Sequence, residues 1–373
     1  MLNKTSDLST AISLLPAWYR ANARALPWRA DTEPYHVWLS EIMLQQTRVE
    51  AVIDYYHRFL SALPTIRDLA AVDEETLLKL WEGLGYYSRA RNLKKAAGVI
   101  VNERGGAFPA TYEDILSLPG VGPYTAGAIA SICFEQPAPA VDGNVLRVYA
   151  RLTRYAENID TDAAKKQIRE ALLPFYTAGQ CGTLTQSLME LGATVCIPNG
   201  APKCGVCPVS AFCAAYQQGD PDRFPVRGEK KQRKSVNKTV LLLRCGELYA
   251  IKKRPAKGLL AGLWEFPNAD LPAGEESSPE SAAALASAWG AKPLKLIAQS
   301  AYTHIFTHVE WRMQAFFIEC GNAPDAFTWA TAEELARDYA LPSAFRPFAE
   351  LLQYGAAGLE GSPSGCSGNA SDS

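Results

Sequence analysis

The stretch Leu118–Asn144 carries the pattern of residues with the clearest chemical meaning in the chain. It begins with the glycine-rich turn LPGVG, continues as an apolar helix and ends around Asp142. A Gly-x-Gly turn at a helix N-terminus can bind an anion, because its free N–H groups and the helix dipole favour negative charge. Gly120 and Gly122 are both expected to permit positive φ in this turn. We therefore expect the turn to grip a nucleic-acid backbone and to place Asp142 near the sugar.

A second carboxylate lies in a different apolar segment. Glu41 is the only acid within Val37–Leu44, in a helix predicted to begin near Pro34 and to continue to Arg48. Helical spacing would place Glu41, Gln45 and Arg48 on one face. Desolvation raises the pKa of a carboxyl group, which suits a general acid. A half-exposed glutamate on a surface stripe is the alternative that this helix alone leaves open.

Four cysteines form the strongest metal-binding signal. Their order is Cys-x7-Cys-x2-Cys-x5-Cys, within eighteen residues, and it comprises Cys196, Cys204, Cys207 and Cys213. Zinc is the usual metal for four thiolates, and an iron–sulfur cubane is the alternative that the spacing leaves open. The remaining five cysteines are scattered, and we interpret them as structural thiols of a reducing compartment.

Two further segments combine basic and aromatic residues. Residues 24–29 read RALPWR just before the Glu41 helix, and residues 81–95 interleave glycines, two tyrosines and four basic side chains. Aromatic rings can wedge between or stack on bases while Arg and Lys meet phosphates. An ordinary packed loop and a solvated basic helix are equally compatible with the two patterns.

The length and charge of the chain limit the possible classes of protein. Its 373 residues suffice for two or more domains, and no apolar run is long enough to span a membrane. The net charge of −2 gives no bulk attraction to DNA, so a nucleic-acid contact requires local patches. A helical region spans residues 1–216, a basic linker 217–237, an α+β domain 238–356 and a disordered tail 357–373. We expect a cytoplasmic, nucleoid-associated protein without a membrane partner.

Together, the turn, the two carboxylates and the cysteine array resemble the helix-hairpin-helix DNA glycosylase superfamily, and within it the MutY-type adenine DNA glycosylases. The resemblance extends over residues 8–355. It implies a multidomain fold, with an all-α helix-hairpin-helix glycosylase domain of six-helix-barrel and iron–sulfur modules, followed by a Nudix-like α+β domain. It favours a [4Fe–4S] cluster over zinc. The first cysteine spacing is seven residues where the family usually has six, and the extra residue lies within Ile197–Lys203, a loop that the family uses near DNA.

The resemblance also implies roles for individual residues. Glu41 matches the acid that protonates adenine, Asp142 the carboxylate that stabilises the sugar cation, and Asn144 a neighbouring supporting residue. Tyr124 stands where lyase-competent relatives carry a Schiff-base lysine, which predicts a monofunctional glycosylase. The residues that match the pocket for a flipped adenine are Arg24, Leu26, Trp28, Leu44 and Gln186.

The remaining matches concern the lesion opposite the adenine. Gln45 and Tyr86 match residues that wedge into the base stack. Phe306, Thr307 and His308 match the Phe-Ser-His loop of the domain that recognises 8-oxoguanine, with Thr in place of Ser. No intact catalytic Nudix box is present in the sequence, so this domain is expected to bind and not to hydrolyse.

The leading hypothesis is therefore excision of adenine opposite 8-oxoguanine or guanine in duplex DNA, by a monomeric protein. An endonuclease III-type enzyme for oxidised pyrimidines, including thymine glycol, would need a lysine at position 124. A thymine–guanine mismatch glycosylase would lack the C-terminal domain. A non-catalytic DNA-binding scaffold would have no need for both Glu41 and Asp142.

Overall fold

The computed structural model describes residues 4–229, 232–272 and 275–353. They belong to two compact units, one within residues 1–71 and 91–229 and the other within residues 72–90 and 230–372. The predicted disordered tail, 357–373, lies outside the described residues. No described helix is both long and apolar enough to cross a membrane.

The first part of the chain is helical, as predicted. Short 3₁₀ turns separate some of its helices, for example at Pro27–Arg29. The α-helices of this part are α1 (Lys4–Asn22), α2 (Pro34–Met43), α3 (Val49–Ala62), α4 (Ile66–Ala71), α5 (Glu74–Leu80), α6 (Ser88–Glu103), α7 (Tyr112–Leu116), α8 (Pro123–Phe134), α9 (Gly143–Thr153), α10 (Asp162–Leu172), α11 (Cys181–Thr194) and α12 (Ala214–Gln217).

Helix α8 is the central helix of the first unit, and its residues from Thr125 to Ile132 are all buried. Such a helix needs apolar and small residues on every side, which its sequence PYTAGAIASICF provides. Helix α11 packs against α1, α8 and α9. A Cβ at Gly182 would lie 2.9 Å from the Cα of Ile132, and one at Gly192 would lie 2.5 Å from the Cβ of Asn144. Both glycines therefore permit close contact between helices.

The glycine-rich turn joins α7 to α8, which confirms the predicted hairpin of helices. Gly120 has φ +75°, and a Cβ there would also collide with Asn92. Gly122 caps α8 with φ −96° and ψ 175°, and a Cβ there would meet nothing within 4 Å. The expectation of positive φ is therefore confirmed for Gly120 and wrong for Gly122, where the backbone is extended.

The predicted helix around Glu41 is shorter than its sequence pattern indicates. It begins at Pro34 as expected but ends at Met43. Gln46 then takes a left-handed conformation with φ +57°, and Arg48 caps the next helix. The prediction that Glu41, Gln45 and Arg48 share one helical face is wrong, because the chain turns between them.

The second unit contains a seven-stranded mixed sheet with the order β3-β2-β1-β6-β5, in which β4 also pairs with β1 and β7 with β2. Strands β1 and β6 are parallel, and the other pairs are antiparallel. Strand β1 begins within the segment that the sequence predicts as a linker. The strands are β1 (Lys234–Cys245), β2 (Leu248–Lys253), β3 (Trp264–Glu265), β4 (Asn268–Asp270), β5 (Pro293–Ile305), β6 (Val309–Cys320) and β7 (Thr328–Ala330).

Helices cover both faces of this sheet. Side chains alternate along β1, so Val240 and Leu242 enter one core while Leu241 and Leu243 enter the other. The helices of this part are α13 (Pro279–Ala288), α14 (Ala332–Asp338) and α15 (Arg346–Gln353). The first core contains residues of α14 and α15, and the second contains residues of α13. The predicted α+β domain after the helical region is thus confirmed.

Candidate active site

One cleft of about 1360 Å³ in the first unit collects most of the residues that the sequence singles out. They reach it from the loop before α2, from α2 itself, from the turn and first residues of α8, from the start of α9 and from α11. The predicted residues that line it are Arg24, Leu26, Trp28, Glu41, Leu44, Gln45, Gly120, Gly122, Tyr124, Asp142, Asn144 and Gln186.

Glu41 is 7% exposed and borders the cleft from the last turn of α2. Burial raises the pKa of its carboxyl group to about 7, and the negative charge of Asp142 adds to this effect. The Tyr124 hydroxyl donates a hydrogen bond to Glu41 Oε2, which together with the charge of Arg29 limits the rise in pKa. Burial also raises the pKa of Tyr124 well above its usual range, so the phenol stays a donor. A glutamate with this pKa can carry a proton at neutral pH.

Asp142 is the N-cap of α9, and both of its carboxylate oxygens accept hydrogen bonds. The Val145 N–H donates to Oδ1 at 2.8 Å, and the Asn144 side-chain amide donates to Oδ2 at 2.7 Å. Burial raises the pKa of Asp142, while these two donors and the charge of Arg147 favour its ionised form. The helix dipole acts in the same direction. Glu41 and Asp142 thus have different environments within the cleft, Glu41 with one hydroxyl donor and Asp142 with two donors at a helix N-terminus.

A buried carboxylate that the sequence interpretation missed lies at another wall of the cleft. Glu190 is fully buried on α11 and forms ion pairs at 2.8 Å with both Arg24 and Arg29. Burial opposes its ionisation, but the hydrogen bonds from the two guanidinium groups outweigh burial and lower its pKa to about 2. Like Glu41, Glu190 is a lone acid in an apolar helical segment, SLMELGA, and the same signal could have identified it.

The other predicted pocket residues make ordinary packing and polar contacts. Trp28 is buried and packs edge-on against Tyr56, with ring centroids 5.6 Å apart. The Gln186 side-chain oxygen accepts a hydrogen bond from the Tyr19 hydroxyl at 2.8 Å. The Gln45 amide lies 3.4 Å from the Thr125 hydroxyl oxygen. Aromatic, aliphatic and amide groups therefore line the same cleft as the two carboxyl groups.

The four predicted metal ligands line a second, small pocket in the first unit. Its other lining residues include the apolar Val148, Leu152, Leu191 and Val195. Burial raises the pKa of the Cys207 thiol to about 11. Among the described residues, no three His, Cys, Asp or Glu side chains converge to hold a single ion. Four thiols in one pocket are a donor set that suits either a tetrahedral zinc ion or an iron–sulfur cluster, in which each thiolate binds a different iron.

Two arginines of α9 contact the cysteine segment, and one of them also contacts a residue of the cleft. Arg147 donates to the Asn144 side-chain oxygen at 2.8 Å and to the Cys196 carbonyl at 2.7 Å. Arg151 donates to the Ile197 carbonyl at 2.9 Å and lies 3.3 Å from the Cys196 sulfur. The sequence interpretation did not single out either residue, because an arginine on a helix carries no local sign of a distant partner.

The second unit brings together the predicted lesion-binding residues other than Gln45. The Tyr86 and Thr307 hydroxyl groups are 2.7 Å apart and form a hydrogen bond. Phe306 packs against Trp311, with centroids 4.8 Å apart, at the turn between β5 and β6. Thr307 and His308 are exposed, and Tyr86 is 45% exposed. An aromatic ring and two hydroxyl groups thus lie at one surface of this unit.

Comparisons with known families agree with the two parts of the fold. Residues 39–174 match the model of the HhH-GPD superfamily base excision DNA repair proteins. Residues 239–351 match a NUDIX domain.

Several adenine DNA glycosylases are similar over most of the chain. That of Mus musculus is 34% identical and covers 95% of this chain, which in turn spans 80% of that protein. That of Homo sapiens is also 34% identical, with 86% of this chain and 70% of the relative covered. That of Buchnera aphidicola subsp. Schizaphis graminum is 36% identical, with 69% and 74% covered.

Solved structures support the fold of the helical part. A thermostable thymine-DNA glycosylase is 28% identical, with a TM-score of 0.51 over 57% of this chain and 98% of that one. Endonuclease III in a non-covalent DNA complex has a TM-score of 0.50, with 59% of this chain and 99% of that one covered, and at 23% identity it shows the fold alone. With relatives that match both of its parts, the chain belongs to the MutY family of adenine DNA glycosylases within the HhH-GPD superfamily.

Proposed function

We propose that this protein removes adenine opposite 8-oxoguanine or guanine in duplex DNA, by hydrolysis of the N-glycosidic bond. One observation carries the proposal. Glu41 and Asp142 line one cleft, where burial raises the pKa of Glu41 to about 7 and two donors hold Asp142 at a helix N-terminus. Base excision needs one carboxyl group that is protonated and one that is ionised, and the hydrogen bonds from Val145 and Asn144 favour the ionised form of Asp142.

Glu41 acts as the general acid. Adenine is a poor leaving group until a ring nitrogen is protonated, and a carboxyl group with a pKa of about 7 gives up its proton readily at neutral pH. The Tyr124 hydroxyl donates to Oε2, so the proton to be transferred lies on Oε1. Tyr124 therefore orients the acid as well as filling the start of α8.

Asp142 stabilises the charge that develops when the base departs. The sugar becomes oxocarbenium-like, and an ionised carboxylate opposite it lowers the energy of that state. The hydrogen bonds from Val145 and Asn144 keep the carboxylate in place during the reaction. Tyr124 occupies the position at which a lysine would form an imine, and a phenol cannot do so. The proposed enzyme is consequently a monofunctional glycosylase.

The substrate of this chemistry is a nucleotide that has left the helix. Undamaged adenine in duplex DNA must rotate out of the stack before Glu41 can reach it. Trp28, Leu26 and Leu44 would supply the apolar and aromatic contacts for the flipped base. The turn at Gly120 and Gly122 ends in the N-terminus of α8, which would hold a phosphate of the same strand.

The second unit supplies the selectivity that the pocket for an undamaged base cannot provide. We propose that Phe306, Thr307 and His308, with Tyr86, recognise 8-oxoguanine, and that Gln45 wedges into the stack. The support is the hydrogen bond between Tyr86 and Thr307 and the exposure of this surface. We further propose that the protein acts as a monomer on cytoplasmic, nucleoid-associated DNA.

The four thiols of the second pocket are proposed to hold a [4Fe–4S] cluster. A bound cluster would cross-link Cys196, Cys204, Cys207 and Cys213 and so fix the segment next to α9. Iron and sulfide analysis tests this, with four of each expected per chain. A colourless protein that contains one zinc ion would contradict the assignment.

One duplex assay tests the reaction and its substrate. Purified protein is incubated with duplexes that contain A opposite 8-oxoguanine, A opposite G, T opposite G, or thymine glycol, and base release is followed by alkaline cleavage of the abasic product. We expect release from the two adenine duplexes, fastest opposite 8-oxoguanine, and none from the others. Faster release of thymine or thymine glycol would refute the proposal, and cleavage without alkali would refute the monofunctional assignment.

A further inference from the structure

The buried carboxylate of Glu190 accepts four hydrogen bonds from two arginines. Its Oε1 accepts from the Arg24 backbone N–H at 3.1 Å and from Arg24 Nε at 2.8 Å. Its Oε2 accepts from Arg24 Nη2 at 2.9 Å and from Arg29 Nη2 at 2.8 Å. Arg29 Nη1 also donates to the Arg24 carbonyl at 3.2 Å. One carboxylate of α11 thus fixes two guanidinium groups of the loop before α2.

All three side chains line the proposed adenine cleft. Glu190 is completely buried, whereas the Arg24 and Arg29 side chains are 34% and 15% exposed. Two arginines and one glutamate give the cluster a net charge of +1, and without Glu190 the net charge would be +2. A buried carboxylate that serves stability alone could pair with one arginine anywhere in the core, but this one holds two arginines at the wall of the catalytic cleft.

The structure assigns to Glu190 the role of a positioning residue, which holds Arg24 and Arg29 at the adenine pocket and balances their charge near Glu41. This inference rests on the proposed glycosylase activity. It adds a further carboxylate to the cleft, beside the pair of catalytic carboxyl groups.

Charge balance matters because the acid must remain protonated. The groups that act on Glu41 are the Tyr124 hydroxyl, the Asp142 carboxylate and the Arg29 guanidinium, and the charge of Arg29 lowers the pKa of Glu41. The groups that face Glu190 are Arg24, Arg29 and the phenol of Tyr19. An unbalanced arginine charge at this wall would ionise Glu41 at a lower pH, and the acid would then be lost under neutral conditions.

Three variants test the charge balance through the pH dependence of single-turnover adenine release. Glu190→Gln gives the cluster a net charge of +2 and should shift the alkaline limb of the profile down by about 1 pH unit. Arg29→Gln gives the cluster a net charge of 0 and should shift the limb upwards. The double variant restores the wild-type net charge and should return the limb close to its original position. Glu157→Gln, at an exposed loop residue, is the matched control.

The same variants are titrated without DNA by difference infrared spectroscopy of the protonated carboxyl stretch, with Glu41→Gln to assign the signal. This readout decides the inference even if the wild-type protein releases no adenine, which would refute the proposed function alone. An unchanged Glu41 titration in Glu190→Gln, or shifts of the same sign in both single variants, would overturn the role of Glu190.

Circular dichroism shows whether Glu190→Gln is folded. If it is unfolded, the Glu41 titrations of Arg29→Gln and of the double variant decide. An upward shift in Arg29→Gln and no shift in the double variant support the inference, and any other pair of results overturns it.

Discussion

Replacement of Glu41 by glutamine should abolish adenine release and at the same time stabilise the protein at neutral and alkaline pH. The reason is the position of this carboxyl group in the apolar helix α2, where it is 7% exposed. Glutamine is neutral at every pH and can still accept the hydrogen bond that the Tyr124 hydroxyl donates. The substitution therefore removes a buried negative charge while it keeps the shape and the polar partner.

The magnitude follows from the pKa of Glu41, which burial raises from 4.5 to about 7 in the folded protein. Between these values the folded state binds the proton more tightly than the unfolded state, so stability falls as the pH rises. The shift corresponds to about 3 kcal/mol when both states are ionised, and to about 1 kcal/mol at pH 5. Glu41→Gln should gain this difference, about 1 kcal/mol at pH 5 and about 3 kcal/mol at pH 8.

The assay is chemical denaturation at several pH values, with hydrogen exchange of α2 and α8 measured alongside. A protein of two units need not unfold in a single transition, and exchange reports on the helices that surround Glu41. The exposed Glu103→Gln serves as the control, with no pH-dependent gain expected. Equal pH dependence of stability in Glu41→Gln and the wild type would refute the buried, proton-binding state of Glu41 and with it the proposed acid.

Three further expectations concern catalysis and recognition. Single-turnover adenine release should fall about tenfold per pH unit above pH 7, because only protonated Glu41 is active; a flat profile to pH 9 would contradict this. Gly192→Ala should slow release by tenfold or more with DNA binding retained, because the new Cβ would lie 2.5 Å from the Cβ of Asn144; unchanged release would show that Asn144 is dispensable. Thr307→Val should reduce the preference for 8-oxoguanine over guanine about five- to tenfold, which corresponds to the loss of one hydrogen bond. Tyr86→Phe is the companion variant, and filter binding measures the affinity for each duplex.

The stabilising effect expected for Glu41→Gln reflects a conflict between catalysis and stability in this cleft. A general acid needs a raised pKa, and burial provides it only by making the ionised form unfavourable. Burial raises the pKa of Asp142 as well, but the Val145 N–H and the Asn144 amide favour its ionised form. Glu41 and Asp142, two carboxyl groups of one cleft, thus differ in the number of hydrogen-bond donors that counter the effect of burial.

Much of the fold and of the site could be read from local sequence. The glycine turn, Pro123 at the start of α8 and Asp142 before α9 are signals within a few residues of the structure that they determine. Such signals are reliable because they depend on backbone conformation and side-chain periodicity, which neighbouring residues set.

Chain turns with no glycine or proline were harder to predict. Helix α2 ends at Met43 although apolar and polar residues continue in helical spacing to Arg48. Gln46 takes its left-handed conformation in the turn between α2 and α3, two helices that contact each other. The opposite error occurs at Gly122. A glycine suggests a positive φ, but the backbone there is extended.

The sequence by itself determined which residues could do chemistry: an acid in an apolar helix, an aspartate after a glycine turn, a tyrosine in place of a lysine and four cysteines. Only the tertiary structure decided how these groups are tuned. The Tyr124 hydroxyl meets Glu41 across 83 residues, Glu190 binds Arg24 across 166, and Tyr86 meets Thr307 across 221. Contacts at such separations leave no periodic or local trace, because they arise from the packing of whole helices and sheets. The pKa of Glu41 depends on that packing, since burial is a property of the folded chain and not of any single segment.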